Sequence, residues 1–371
     1  MKIFMIANSG FAIYNFRRLL LKKLKSKNYS VYIVCPKDEY SQKLKDEGFH
    51  WLDPHIRANS INLFQEIYTL IRIAYLINLV KPDVCLSFTI KPNIYTGILN
   101  RLFDFKFIPN ITGLGDTFDS GKIIAFFLKV AYQIAFFKAY HIFFQNTSDY
   151  TNFKNNKIIK KQNFTVLPGS GVNISKIRYK PKKFDITENF TFLFVGRLLE
   201  KKGIYEFIQA SKQLSLSDNE GSLNFNVIGQ TVSKNSKGVD NAELKELQCS
   251  STCRFYGFQE NPNIFFEEAH CVVLPTYYNE GVPKALIEAL AHGCIIITTN
   301  RPGCSEVVDQ GINGMFCLEK NSIDLHSKMV NILTLTKNEL LNMSKASRQK
   351  SFYFDEQIIV NKYLEVIFEN L

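Results

Sequence analysis

The chain has 371 residues, enough for two domains of ordinary size, and its hydrophobic fraction of 46% with a charged fraction of 21% excludes a disordered or low-complexity polypeptide. Its net charge of +11 is uneven: residues 1–180 hold 26 Lys/Arg against 11 Asp/Glu, whereas residues 181–371 hold 19 against 23, so an anionic partner is expected for the first half only. The eight cysteines lie mostly inside apolar runs, the pattern of a reduced cytosolic protein, and Cys249 with Cys253 lacks the second Cys or His pair of a zinc site.

Met1 to Ala7 runs straight into a turn and reads as a first strand, not as a signal peptide. Strands are predicted over 3–7, 31–35, 84–87, 107–111 and 141–145, with a short one near 165–167; helical periodicity fills 14–25, 42–47, 63–79, 94–102 and 123–138. The stretch 123–144 is the most apolar, but Lys129, Gln133, Lys138 and His141 interrupt it, so no transmembrane anchor is expected. His141, inside a strand-like run, reads as a structural histidine. Leu167-Pro168-Gly169-Ser170-Gly171-Val172-Asn173 and the basic segment 176–183 then read as an interdomain hinge. Beyond it the alternation restarts, with strands over 191–195, 225–228, 253–256, 271–274 and 294–298 and helices over 204–214, 242–247, 283–292 and 323–335.

This alternation predicts an α/β fold of two Rossmann-like domains facing across a cleft: residues 1–168, residues 169–352, and a C-terminal helix in 353–371 packing back on the first domain. Ligands of such sheets sit beyond the carboxyl ends of the strands, which directs attention to four loops. Asn8-Ser9-Gly10-Phe11 follows the first strand; Gly10 allows close backbone approach, but the full dinucleotide fingerprint is missing, so the loop is either a ligand contact or a plain turn. Thr112-Gly113-Leu114-Gly115-Asp116 exposes several N–H groups and serves either as a phosphate cradle or as a structural turn. In Val195-Gly196-Arg197-Leu198-Leu199-Glu200-Lys201-Lys202-Gly203, Arg197 offers a planar fork and Lys202 a point charge, complementary ways to hold a diphosphate unless both are surface ion-pair residues.

The fourth loop is the most informative. Glu280 lies in a turn after the strand ending Leu274-Pro275, and Glu288 lies about a turn and a half into the following helix, with Pro283 suited to its first position. Their spacing suits two points on one extended ligand, and the helix start between them favours phosphate. The competing reading is a capping carboxylate and a solvated surface residue.

Taken together, Val-Gly-Arg-Leu-x4-Gly, the later Gly257-Phe258, Leu-Pro-Thr-x3-Glu-Gly-Val-Pro-x4-Glu-Ala-x2-His-Gly, and the continuation through Pro302-Gly303-Cys304-Ser305-Glu306 and Asp309-Gln310-Gly311-Ile312-Asn313-Gly314 resemble a GT-B retaining glycosyltransferase of family 4. The resemblance covers essentially the whole chain and is strongest from Phe194 to Phe316. It implies that Arg197 and Lys202 bind the nucleotide diphosphate and stabilise the leaving group, that Glu280 faces the donor sugar hydroxyls, and that Glu288 accepts from the ribose hydroxyls. Gly281 and Val282 would approach the sugar or phosphate through their backbone, Gly10 would lie under the diphosphate, and Tyr256 and Phe258 would lie against the base.

The resemblance further implies an enzyme without a cofactor or a metal, its donor being a nucleotide sugar; the usual Asp-x-Asp motif is absent from the sequence. Neither glutamate is expected to act as a glycosidase-style acid or base. Where many relatives carry a histidine, this chain has Thr112, Gly113 and Gly115, resembling the bacterial subgroup that acts on polyprenyl-diphosphate-linked sugars. The expectation is therefore transfer of a hexose or N-acetylhexosamine from a UDP-sugar to an undecaprenyl-diphosphate-linked saccharide in O-antigen, capsule or glycan assembly. Alternatives are a GDP-mannose-type transferase or a sugar-nucleotide epimerase of the same fold. The basic first half, with segment 14–23 and the helix near Phe126, Phe127 and Lys129, suggests peripheral attachment to an anionic inner leaflet of the cytoplasmic membrane. Nucleic acid is not an expected partner, since no binding module is recognisable.

Overall fold

The computed structural model describes residues 1–57, 62–115, 121–185, 189–216, 222–233 and 237–369; Asp116 of the second loop lies outside them. The chain forms two compact units, one of Met1–Gly171 plus the C-terminal segment from Glu356, the other of Val172–Asp355.

In the first unit, β1 (Lys2–Ile6), β2 (Ser30–Val34), β3 (His50–Leu52), β4 (Val84–Phe88), β5 (Lys106–Ile111), β6 (His141–Phe144) and β7 (Asn163–Val166) make one parallel sheet in the order β3-β2-β1-β4-β5-β6-β7. Helices α1 (Gly10–Ser26), α2 (Glu39–Asp46), α3 (Leu63–Val80), α4 (Ile90–Leu99), α5 (Lys122–Ala135) and α6 (Thr147–Asn155) form the crossovers. Covered on both faces, the strands can be apolar throughout, as the fully buried Val-Cys-Leu-Ser-Phe of β4 is. Polar side chains start the helices: Ser9 Oγ accepts from the Ala12 N–H at 3.2 Å, and Asp38 and Ser41 close a capping box on α2.

The second unit repeats the plan. β8 (Phe190–Val195), β9 (Leu223–Ile228), β10 (Cys253–Phe255), β11 (Cys271–Leu274), β12 (Ile295–Thr299) and β13 (Gly314–Cys317) form a parallel sheet in the order β10-β9-β8-β11-β12-β13. Around it lie α7 (Ile204–Ser215), α8 (Asn241–Ser250), α9 (Asn263–Glu268), α10 (Lys284–Ala291), α11 (Ser322–Leu333) and α12 (Lys337–Ser351). The last helix, α13 (Glu356–Phe368), belongs to the first unit, where Ile359, Tyr363 and Ile367 share a core with Ile13, Leu20, Leu21 and Leu24 of α1.

Two expectations about apolar surface need correction. Segment 14–23 is only partly surface: Leu20 and Leu21 are in the core and Arg17 is buried, because that face of α1 covers the sheet, while Tyr14, Phe16 and Leu19 are half-buried. The described helix long and apolar enough to cross a membrane is α3, not a part of 123–144; its mean hydropathy is 1.3. Thr69, Ile73, Leu76, Ile77 and Val80 of α3 are buried, while Leu63, Phe64, Ile71, Tyr75 and Leu79 are exposed. On the same side of the sheet, α5 buries Leu128 and Tyr132 and exposes Ile123, Phe126 and Phe127.

Candidate active site

In each sheet the strand order reverses once, between β1 and β4 in the first unit and between β8 and β11 in the second. Ligands of open parallel sheets gather outside the carboxyl ends of the strands at that reversal. In the second unit the two loops leaving it are Gly196–Gly203 and Pro275–Pro283, which carry Arg197, Lys202 and Glu280.

Several contacts knit these loops together. The backbone N–H of Tyr277 donates to the Lys201 carbonyl at 2.9 Å, and the Thr276 hydroxyl donates to the same carbonyl at 3.1 Å. Gly203 has φ of +79°, and a Cβ there would stand 2.5 Å from the Pro275 carbonyl oxygen, so only glycine permits this approach. Lys202, 9% exposed, is thereby delivered to Glu280, and its ammonium forms an ion pair with the Glu280 carboxylate. Thr276 Oγ1 lies 3.4 Å from the same carboxylate oxygen.

A third loop, after β12, supports the glutamate turn from behind. Thr299 donates its hydroxyl to the Thr276 carbonyl, and Arg301 donates from Nη2 to the Tyr277 carbonyl at 3.2 Å. Arg301 also pairs with Glu319 at 3.0 Å. Gly303, with φ of +80°, packs its Cα directly on the Gly281 peptide. Cys304 is fully buried there; burial pushes its thiol up to about 12, and the Glu280 carboxylate adds to the shift. Thr276 and Cys304 stood inside quoted motifs without an assigned task, and Thr299 and Arg301 carry no signal of their own in the sequence.

Pro283 occupies the position before α10, one residue earlier than expected, and gives no side-chain cap. The first turn of α10 therefore begins at Lys284, whose ammonium lies 3.6 Å from Glu288. Burial raises the Glu288 carboxyl above its ordinary value, with Lys284 opposing. Arg197 is exposed at the end of β8, its guanidinium without a partner among the described residues. Tyr256 and Phe258 follow β10 and are about half exposed, with Tyr256 edge-on to Phe265 at 4.9 Å. Their loop is tied to that of Arg197 through glycines: the Gly229 N–H donates to the Gly257 carbonyl at 2.9 Å, and Gly229 itself abuts the Gly196 carbonyl.

The remaining predicted residues lie in the first unit. Gly10 opens α1, and its N–H donates to Asp38 Oδ2 at 2.7 Å, as does that of Phe11 at 3.3 Å. The other Asp38 oxygen accepts from the Ser41 N–H at 2.6 Å, so one carboxylate caps both α1 and α2. Thr112, Gly113 (φ +112°) and Gly115 (φ +59°) leave the carboxyl end of β5. His141 is buried, bonded through Nε2 to Thr165 Oγ1 at 2.9 Å, and burial pushes its pKa down to about 4; it is structural. Among the described residues no three His, Cys, Asp or Glu side chains are grouped to hold a metal ion.

Two parallel α/β units, each with one strand-order reversal, define a two-domain α/β architecture, and comparison with known proteins places it. The family model for glycosyl transferases group 1 matches residues 176–350, and that for glycosyl transferase 4-like proteins matches residues 2–146. The N,N'-diacetylbacillosaminyl-diphospho-undecaprenol alpha-1,3-N-acetylgalactosaminyltransferase of Campylobacter jejuni is 26% identical, over 99% of this chain and 98% of that protein. The structure of a glycosyltransferase from Rickettsia africae ESF-5 superposes with a TM-score of 0.78 at 16% identity, covering 100% of this chain and 99% of the other. Anabaena Alr3699/HepE in complex with UDP superposes with a TM-score of 0.76 at 16% identity, covering 99% of each chain. The chain belongs to the GT-B glycosyltransferases of family 4.

Proposed function

We propose that the enzyme transfers a hexose or N-acetylhexosamine, with retention of configuration, from a UDP-sugar to a saccharide carried on a polyprenyl diphosphate. The observation that carries this reading is the Lys202–Glu280 ion pair at the strand-order reversal of the second unit. A nucleoside diphosphate arriving there competes for Lys202, with Arg197 as the second cation. Glu280, released from its partner, then accepts hydrogen bonds from the sugar hydroxyls. As the glycosidic bond breaks, negative charge grows on the departing diphosphate, and fixed cations together with the first turn of α10 stabilise it. Glu288, beyond that turn, holds the ribose hydroxyls, and Tyr256 and Phe258 offer flat surfaces for the base.

The acceptor half of the proposal draws on the name of the Campylobacter relative, which contains a diphospho-undecaprenol and an N-acetylgalactosaminyl group. The UDP in the Anabaena complex favours uridine among the nucleotides. Peripheral docking on an anionic leaflet is supported by the exposed apolar faces of α3 and α5 and by the basic balance of the first half.

The test is a donor panel of UDP-, GDP- and ADP-sugars with a diphosphate-linked acceptor, followed by the anomeric configuration of the product and repeated with chelator. Turnover of UDP-sugars with retained configuration, unaffected by chelator, is expected. A response to GDP-mannose alone overturns the donor, an inverted product overturns the mechanism, and loss of turnover with chelator overturns metal independence.

A further inference from the structure

The strand-order reversal of the first unit, between β1 and β4, holds a buried cation apart from the Lys202–Glu280 site. Arg17 projects from α1 toward the carboxyl end of β4 and is only 4% exposed. Its Nη1 donates to the Phe16 carbonyl at 2.7 Å, and its Nη2 reaches Asn110 Oδ1 at 3.5 Å. The guanidinium carbon stands 4.7 Å from the centroid of the Phe88 ring and 5.7 Å from that of Tyr363. Among the described residues Nε has no partner and no carboxylate lies within ion-pair distance. Two aromatic faces, one backbone carbonyl and one amide oxygen offset only part of the penalty for burying a full charge. Burial accordingly lowers the Arg17 pKa.

The same spot carries a strained residue. Thr89, immediately after Phe88, has φ of +73°, a region that β-branched residues avoid. It stands at the cap position of α4 yet makes no side-chain capping bond, and its hydroxyl is buried without a partner among the described residues. A network joins it to the arginine: Asn93, in the first turn of α4, donates its backbone N–H to the Thr89 carbonyl at 3.1 Å and its side-chain amide to the Asn110 carbonyl at 2.9 Å, and accepts from the Ser87 hydroxyl at 2.6 Å. Asn110 is the residue opposite Phe88 in the sheet register. A buried cation lacking an anion, an unpaired hydroxyl and a helix start thus converge at the carboxyl end of β4.

We propose that Arg17, Thr89 and the first turn of α4 form an anion subsite that receives the diphosphate of the acceptor; this rests on the transfer to a diphosphate-linked saccharide proposed above. Arg17 supplies the charge, Thr89 the hydroxyl donor, and the helix start its amide dipole. Both residues then trade stability of the folded chain for affinity.

The test uses the full chain, with UDP saturating the donor site, and compares Arg17→Met, Arg17→Lys, Thr89→Gly and Thr89→Ser. Met keeps most of the volume and removes the charge. Arg17→Met is expected to melt at or above the parental temperature while its affinity for inorganic pyrophosphate falls, and its KM for a diphosphate-linked acceptor rises, each by about tenfold. Arg17→Lys recovers part of both. Thr89→Gly relieves strain and weakens pyrophosphate binding, whereas Thr89→Ser keeps it.

If Arg17→Met lowers the melting temperature and leaves pyrophosphate affinity and acceptor KM at parental values, the arginine is structural and the subsite falls. If Arg17→Met does not fold, the Thr89 pair decides: equal pyrophosphate affinity in the Gly and Ser variants overturns the subsite. A loss of UDP affinity in Arg17→Met, measured by itself, assigns the site to the donor and overturns the acceptor assignment. Parental enzyme that transfers to no diphosphate-linked acceptor, together with pyrophosphate binding that still depends on Arg17, sinks the acceptor reading while the anion subsite stands.

Discussion

A Cβ on Gly303 would overlap the carbonyl oxygen of Gly281, so the loop after β12 and the turn that presents Glu280 touch backbone to backbone. Gly303→Ala should therefore push that turn away from Lys202. Strain from φ of +80° adds about 1–2 kcal/mol of destabilisation to the steric displacement. We expect kcat to fall by at least about tenfold, as a displacement on the order of 1 Å in a catalytic group costs that or more. Gly311→Ala is the control, because Gly311 has φ of +75° with nothing within 4 Å of its Cβ position. It should lose stability and keep kcat; equal losses of kcat in both variants would refute the argument.

Glu280→Gln and Lys202→Met separate the two halves of the ion pair. With Gln at 280 the sugar loses its carboxylate while Lys202 stays available to the diphosphate. Turnover should then fall by about 10²–10³, as when one preorganised group facing the reacting centre is removed, with UDP affinity close to parental. Lys202→Met should lose both turnover and UDP affinity. Calorimetric titration with UDP reads the difference, and abolished UDP binding in Glu280→Gln would show the roles to be wrongly divided.

The burial that raises the Glu288 carboxyl has a consequence for donor binding. Only the ionised form accepts from two ribose hydroxyls, so UDP affinity should weaken on acidification earlier than an ordinary glutamate would dictate. Glu288→Gln should bind UDP more weakly at neutral pH and lose that pH dependence. A pH series of UDP dissociation constants that is identical in the two proteins would exclude Glu288 from the nucleoside site.

Stability should fall in mild acid through buried neutral histidines. His141 and His292 both titrate near pH 4 in the folded chain, because burial disfavours their charged forms. The unfolded chain binds these protons from about pH 6.5 downward. Their contribution is thus fully present above that pH and is lost as pH falls toward 4, at up to about 1.4 kcal/mol per pH unit for each. Asp149, pushed up to about 7 by burial, acts in the opposite sense. Denaturant titrations of a His141→Gln, His292→Gln double variant should show the acid limb flattened relative to the parent; an unchanged limb would refute the assignment.

Bilayer docking through α3 and α5 predicts that Phe126→Ser with Phe127→Ser lowers partitioning to vesicles containing anionic lipid by about tenfold or more, since each exposed ring otherwise buries apolar area in the interface. Added salt should weaken binding by the parent as well. Parental protein that ignores such vesicles at low salt removes membrane docking from the proposed function.

The strands and most helices were legible because burial on both faces leaves continuous apolar runs. What stayed hidden had a physical cause in each case. β3 is three half-exposed residues at an edge, and β13 begins at a glycine. The inward face of α12 includes Ser344, Ser347 and Ser351, the first two bonded to the Gly293 carbonyl at 2.7 Å and the Asn313 carbonyl at 3.3 Å, so no apolar period marks it. At the candidate site, Arg197, Lys202, Glu280 and Glu288 stood out through motif and spacing. The pairing of Lys202 with Glu280 did not, since the partners are 78 positions apart and only the sheet order joins them. Arg17 was grouped with the membrane-facing segment 14–23, because a basic stretch says nothing of which lysine or arginine turns inward.

Asp38 carries one more implication. A single carboxylate gathers the Gly10, Phe11 and Ser41 amides, so the first turns of α1 and α2 share one fastening. A ligand that draws the Gly10 amide toward itself must either displace Asp38 or drag the start of α2 along. Any ligand contact at that loop would therefore be felt across two helices at once, and the loop cannot adjust by itself.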